Sequence, residues 1–265
     1  MISGMNVLIN NKTLYSNLLF SDPVVYNEKI TLYPVKMKDI LRFRLYSESI
    51  TLRKDSYFPE KKIIKMSYWE FLKYAKDNPE LGIKYGYPDL YNYFINSLML
   101  LNLACPDSDI KFRTQDNATF INDIEITSEM FDDLRRIIIL QNDIDFDINE
   151  FINKDTEEAL KKAQADQSKG QDNSTIEDYI DSLCLVLNIN ESQVKEMTIR
   201  KFWRFIKRIR LHEEYVICKT GECSGFVTFK EPIKHWMIDI NNNDKYDSLK
   251  TDESTLKNKL SEANS

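Results

Sequence analysis

Glycine is scarce in this chain, six in 265 residues, and histidine scarcer still, with two. So few glycines leave little room for phosphate-cradling loops or for an all-β architecture built on tight turns, and the composition leans helical. Walker, G-x-G-x-x-G and G-x-S-x-G patterns are all missing, so the familiar nucleotide-binding and hydrolase signatures are not present. Four cysteines (Cys105, Cys184, Cys218, Cys223) are too few and too scattered for a disulfide framework at this length. The most apolar stretch, "SLMLLNLAC" at 97–105, is interrupted by Asn102 and falls well short of the roughly 20 residues a membrane helix needs. The opening "MISGMNVLINNKTLY" lacks a basic start followed by an apolar run. The expectation is a cytoplasmic protein without a membrane anchor.

What is present is a core-forming composition, 42% hydrophobic and 29% charged, and a marked charge asymmetry. The net charge is −6, yet "IRKFWRFIKRIRL" at 199–211 carries six Lys/Arg and no acid, so the rest of the chain carries −12. An acidic body argues against general nucleic-acid binding, whose affinity comes mainly from neutralising phosphates.

The expected fold class is α+β, mostly α: a helical bundle-like body with a small N-terminal strand and a central β-hairpin. "EKITLYPV" at 28–35 alternates like a short strand, and 37–52 has helical spacing. Ser67 and Glu70 form a capping-box pattern before "YWEFLKYAKD", and "PDLYNYFINSLMLLNLAC" reads as a buried helix opened by Pro88. Residues 109–127 break the helical rhythm and predict a hairpin, after which Thr127 or Ser128 caps the helix "EMFDDLRRIIILQN". Residues 142–175 hold nine acidic and four basic residues and end in "QSKGQDNST", a linker signal that also contains an exposed helix. Ser174 and Glu177 suggest a second capping box before "IEDYIDSLCLVLN"; "ESQVKEM" is a short helix and Thr198 starts the basic one. Beyond the Gly221–Gly225 break, "FVTFKEPIKHWM" reads as part strand and part helix. The predicted organisation is an N-terminal α+β domain at 1–141, the acidic linker at 142–175, a C-terminal helical domain at 176–238 and a polar tail at 239–265.

Candidate sites are few. His212, Cys218, Cys223 and His235 could supply a Cys2His2 zinc set, but H-x5-C-x4-C-x11-H is not a recognised ligand spacing. The favoured reading makes Cys218 a core residue at a helix end, His212 an interface residue and Cys223 a loop thiol, with no metal or other cofactor. "DIDFDIN" at 143–149 and "DINNNDKYD" at 239–247 mimic calcium loops at positions 1, 3 and 5 but lack the Gly at position 6 and the Glu at position 12. Cys223 with His212 or His235 would be a nucleophile–base pair on paper only, so no enzymatic role is expected. In the basic helix, Ile199, Phe202, Phe205/Ile206, Ile209 and Val216 fall on one stripe. Its aromatics therefore face a core instead of being displayed for base stacking, Trp203 excepted. Its basic residues suit an acidic segment or a partner protein, and the acidic body would repel phosphates within a Debye length of about 8 Å. Arg200, Trp203, Arg204, Lys207 and Arg208 are the candidate partner-binding residues.

The layout of "ITLYPVKMKDILRF", the hydrophobic helix 88–104, "FRTQDNATFINDIEITSEMFDDLRRIIILQN", an acidic insert, "TIEDYIDSLCLVLNINESQVKEMTIRKFWRFIKRI" and "CSGFVTFKEPIKHW" resembles the tail assembly chaperones of long-tailed phages of Gram-positive hosts. The resemblance follows order and spacing over most of 28–238, and the chain is longer than many members. It implies a cytoplasmic, non-enzymatic protein of the infected cell that binds the tape-measure protein and helps recruit the tail-tube protein, with self-association open. It leaves two alternatives: a virion-associated structural or connector protein of the tail, and a nucleic-acid-binding regulator acting through 199–211.

Overall fold

The computed structural model describes residues 11–148, 150, 152–159, 162, 174–225, 227–229 and 232–239. The chain is an α+β protein, mostly helical, with two small antiparallel sheets. Its described residues divide into two compact units. One comprises those of Met1–Phe151 with Cys184–Trp203, and the other those of Ile152–Leu183 with Arg204–Ser265. The stretch expected as a C-terminal domain, 176–238, thus contributes to both.

In the first unit, α1 (Asn11–Phe20) precedes a two-stranded ribbon, β1 (Val24–Asn27) with β2 (Ile30–Leu32). The expected N-terminal strand is real, shorter than 28–35, and has a partner that its sequence did not announce. Ile30 and Leu32 are fully buried. The chain leaving β2 is stitched to two helix ends. The Tyr33 amide donates to the Ala104 carbonyl, the Val35 amide donates to Asn142 Oδ1, and Gln141 Nε2 donates to the Leu32 carbonyl. These bonds occupy groups at helix C-termini and along the strand that would otherwise be buried unpaired.

A 3-10 turn at Met37–Asp39 leads into α2 (Ile40–Thr51), and the short helices α3 (Lys54–Tyr57) and α4 (Lys61–Lys65) follow. The predicted capping box opens α5 (Tyr68–Asp77): Ser67 Oγ accepts from the Glu70 amide, and the Glu70 carboxylate accepts from the Ser67 amide. α6 (Pro79–Tyr85) ends at Gly86, whose φ of +80° is the left-handed conformation of a helix stop. Within α6, Gly82 leaves room for the chain to fold back: a Cβ there would lie 2.2 Å from the Tyr87 carbonyl oxygen.

A 3-10 turn at Pro88–Asn92 then enters α7 (Tyr93–Ala104), which packs along α2. The hairpin expected at 109–127 is a three-stranded meander, β3 (Ile110–Arg113), β4 (Ala118–Ile121) and β5 (Ile124–Glu125). α8 (Ser128–Gln141) is capped by Thr127, whose side chain accepts from the Met130 amide. The core is aromatic: Trp69 stacks on Phe131 at 4.4 Å and tilts against Phe94 at 5.1 Å, and Phe58 packs on Phe71 at 5.2 Å.

α9 (Ile176–Leu187) is boxed one residue later than expected. Thr175, in place of Ser174, accepts from the Asp178 amide, and the Asp178 carboxylate accepts the Thr175 amide and hydroxyl hydrogens. Asn190 and Gln193 box α10 (Glu191–Glu196) in the same way. α11 (Ile199–Cys223) continues well past the basic run and through Gly221; the chain takes up a φ of +74° only at Gly225. The predicted strand and helix after Gly225 are not found among the described residues 227–229 and 232–239. Residues 154–159 are helical, as expected of the acidic segment, while the second calcium-like stretch beyond Asp239 and the tail from 240 lie outside the described residues.

Candidate functional site

The first turn of α11 belongs to the first unit and is tied down by backbone. The Ile199 amide donates to the Val35 carbonyl and the Met37 amide to the Met197 carbonyl, closing a bridge between Lys36 and Thr198. Thr198 Oγ1 accepts from the Lys201 amide, an N-terminal cap. Ile199 and Phe202 are buried, and Trp203 sets its edge against Phe202 at 5.1 Å while remaining half-buried. The cations here have internal partners. Arg200 Nη1 donates to Asp143 Oδ1 at 2.8 Å and to the Leu140 carbonyl at 3.1 Å, so it caps the C-terminal end of α8 and pairs with the acidic segment. Lys201 Nζ donates to the Leu19 carbonyl at 2.7 Å.

From Arg204 onward α11 belongs to the second unit. Arg208 Nη1 donates to the carbonyls of Trp236 and Ile238, both at 2.7 Å, and so pins the segment 232–239. Arg210 donates to the Tyr179 hydroxyl at 2.9 Å with its guanidinium over that ring. One Nη of Arg204 is buried without an acceptor among the described residues, and Lys207 is exposed. The expected stripe is half right: Ile206 is buried, but Phe205 and Val216 are exposed.

The four candidate zinc ligands are dispersed by the helix. His212 and Cys223 lie eleven residues apart on α11, which separates them by roughly 16 Å along the axis. Among the described residues no three His, Cys, Asp or Glu side chains gather as a metal site. The histidines instead belong to an aromatic cluster: His212 meets Trp236 edge-on at 5.1 Å, and His235 meets Tyr215 at 5.0 Å. Cys218 lines an apolar cavity of about 280 Å³ with Leu211, Tyr215, Phe229 and Ile233, and Cys223 is exposed at the helix end.

A feature the sequence did not single out lies on α7. This helix is largely apolar, broken only by Asn96, Ser97 and Asn102; its inner face (Phe94, Leu100, Leu101, Ala104) is buried, yet Tyr91, Ile95 and Met99, spaced i, i+4, i+8 from the preceding turn, are exposed. Leu41 and Leu45, also i, i+4, are exposed on α2, which packs along α7. Apolar helix faces are ordinarily turned to the core, and these rows are left uncovered.

The fold is that of a mostly helical α+β protein with exposed apolar rows, and among its described residues no three His, Cys, Asp or Glu side chains gather as a metal site. Residues 166–241, well under half of the chain, match the family model described as YomV second domain. That family name is associated with phages and prophages, and the match supports a phage-related protein. Comparison with curated proteins and with solved structures finds no match. No helix among the described residues is long and apolar enough to cross a membrane.

Proposed function

We propose that this chain is a phage tail assembly chaperone, a non-enzymatic binder of the tape-measure protein that assists assembly of the tail-tube protein. The observation that carries the reading is the uncovered apolar row formed by Tyr91 with Ile95 and Met99 of α7. A long coiled-coil client exposes apolar stripes before assembly, and rows at helical spacing can cover them by the helix-to-groove mode. The match to a phage-associated family and the layout resemblance both favour this setting. The basic face of α11 is a weaker candidate for the contact, because Arg200, Arg208 and Arg210 hold internal partners.

The test is co-expression with the tape-measure protein of the same phage genome. A soluble complex is expected, and Ile95→Asp with Met99→Asp should abolish it while leaving the circular dichroism spectrum unchanged, since both side chains already face solvent. Failure to co-purify, or stable incorporation of the chain into finished tails, sinks the proposal.

A further inference from the structure

A cleft of about 360 Å³ opens in the first unit, walled by the 52–56 connection, Ile64, Met66 and Tyr68, the α8 side chains Asp132 and Arg135, and Phe146, Ile148 and Glu150. Three cations line it, and two are spent on the protein itself. Arg53 donates to the Asp147 and Glu150 carbonyls and, at 3.1 Å, to the Glu150 carboxylate. Lys54 Nζ donates to the carbonyls of Ile63 and Ile64 at the end of α4 and to the Asp55 carboxylate.

Arg135 differs. It is 5% exposed, its Nε donates to the Ile50 carbonyl, and its guanidinium lies flat on the Tyr68 ring, 3.6 Å from the centroid. Tyr68 is itself fixed by donating its hydroxyl hydrogen to the Ser49 carbonyl. The guanidinium is therefore clamped at one edge and one face, with the Phe146 ring centroid 5.4 Å from it. Its two Nη groups have no acceptor among the described residues, and no carboxylate lies within 4.0 Å of it. That free edge is not sealed in the core, so it faces the cleft. Asp132, one turn earlier on α8, does not reach it and keeps Oδ1 buried without a donor. Burial accordingly pushes the Arg135 guanidinium pKa down and the Asp132 carboxyl up.

A buried cation without an anion is costly unless a counter-charge arrives. The fork of Nη donors matches the two oxygens of a planar carboxylate. Asp55, Asp132 and Glu150 around the cleft oppose a dianion such as phosphate, and Met66, Phe146 and Ile148 offer an apolar bed. We propose that this cleft is a monocarboxylate-binding site, with the acid's oxygens accepting from Arg135 Nη and its apolar body against those walls. The carboxylate comes either from a free short-chain acid or from an acidic side chain flanked by apolar residues in a partner polypeptide.

The test uses the full chain and isovalerate as probe, followed by thermal unfolding and by the NMR signals of the arginine guanidinium groups. No client protein is needed, so the result stands apart from the assembly reading. Isovalerate should shift the Arg135 signals saturably and raise the folded-to-unfolded ratio about 100-fold at a concentration 100 times its Kd. Isovaleramide should do neither, and inorganic phosphate should bind at least tenfold more weakly. Arg135→Lys should weaken isovalerate at least tenfold. Because that variant touches a buried side chain, Ile64→Trp provides a second one: Ile64 is half-exposed on the cleft wall and is not one of the groups that anchor Arg135, and the indole should fill the cleft and abolish the response. An amide as effective as the acid, no saturable response, or a response unchanged in Ile64→Trp overturns the site. If acetyl-Leu-Glu-Leu-amide displaces isovalerate, the source is an acidic side chain; if isovalerate binds and the peptide does not compete, it is a free acid.

Discussion

Neutralising Arg200 should cost stability on the scale of a buried interaction, not of a surface charge. Its side chain is 14% exposed and that of Asp143 is 11% exposed, with 2.8 Å between Nη1 and Oδ1. The same Nη1 reaches the Leu140 carbonyl, one of the C-terminal groups of α8 that the helix cannot satisfy internally. Exposed ion pairs contribute up to about 1 kcal/mol. Removing one partner of a fully buried pair costs about 3–5 kcal/mol, because the other charge is left in low dielectric. With the residual exposure of both groups, Arg200→Met should cost about 2–3 kcal/mol. Asp143 sits at φ +57°, a conformation asparagine tolerates, so Asp143→Asn removes the charge without adding backbone strain. A double-mutant cycle on these two changes should return a coupling of about 1.5–3 kcal/mol. Urea unfolding read by tryptophan fluorescence serves, since Trp69 stacks on Phe131 of α8. An Arg200→Met variant within about 0.5 kcal/mol of the parent, or single effects that simply add, would refute the argument and return Arg200 to the surface as a free binding charge.

Gly82→Ala should destabilise by about 2–3 kcal/mol although alanine is the better helix former by about 1 kcal/mol. Its Cβ would sit 2.2 Å from the Tyr87 oxygen and 2.9 Å from Leu90 Cβ; an unchanged or higher thermal midpoint would contradict the packing described. Burial pushes the Cys105 thiol up to about 12, so dithionitrobenzoate should label exposed Cys223 at once and Cys105 only on unfolding. The same shift sets an alkaline limit. The native state keeps the Cys105 proton that the unfolded chain releases, so its contribution is complete below about pH 9 and falls by about 1.4 kcal/mol per unit as pH rises toward 12. Tyr26 and Tyr68, also raised to about 12 by burial, join this decline above about pH 10. Cys105→Ala should flatten the slope of stability between pH 9 and 10; a slope identical to the parent's would show the thiol plays no part.

The elements legible in the sequence were those governed by local rules. The Ser67–Glu70 box, the Thr127 cap, the α7 core face and the basic helix all follow from short-range hydrogen bonding and helical period. At Thr175 two adjacent hydroxyl residues, each three residues before an acid, offer the same box, and only the geometry of the helix start chooses between them. The short helices α3, α4 and α6 hold four to seven residues each, too few for a period to emerge. β1 exists through its ladder with β2, a pairing that four residues do not specify. Helical spacing predicts Phe205 and Val216 inward, because it gives the stripe but not where the covering structure stops. Arg135 carried an unread signal: it lies four residues after Phe131 and three before Ile138 on the buried face of α8. An arginine in that register is either paired or waiting for a counter-ion, and which of the two depends on residues far away in sequence, at Ile50 and Tyr68.

The bridge between Lys36 and Thr198 also bears on synthesis. Val35 and Met37 find their backbone partners only when Met197 and Ile199 have left the ribosome. At typical translation rates the interval between residue 151 and residue 203 is roughly 3–10 s. Throughout it the nascent first unit lacks Val194, Ile199 and Phe202, all buried in the finished fold. A chain cut off within this window presents an unfinished edge, so truncation products ending before residue 203 should be the ones that proteases and holding chaperones remove first.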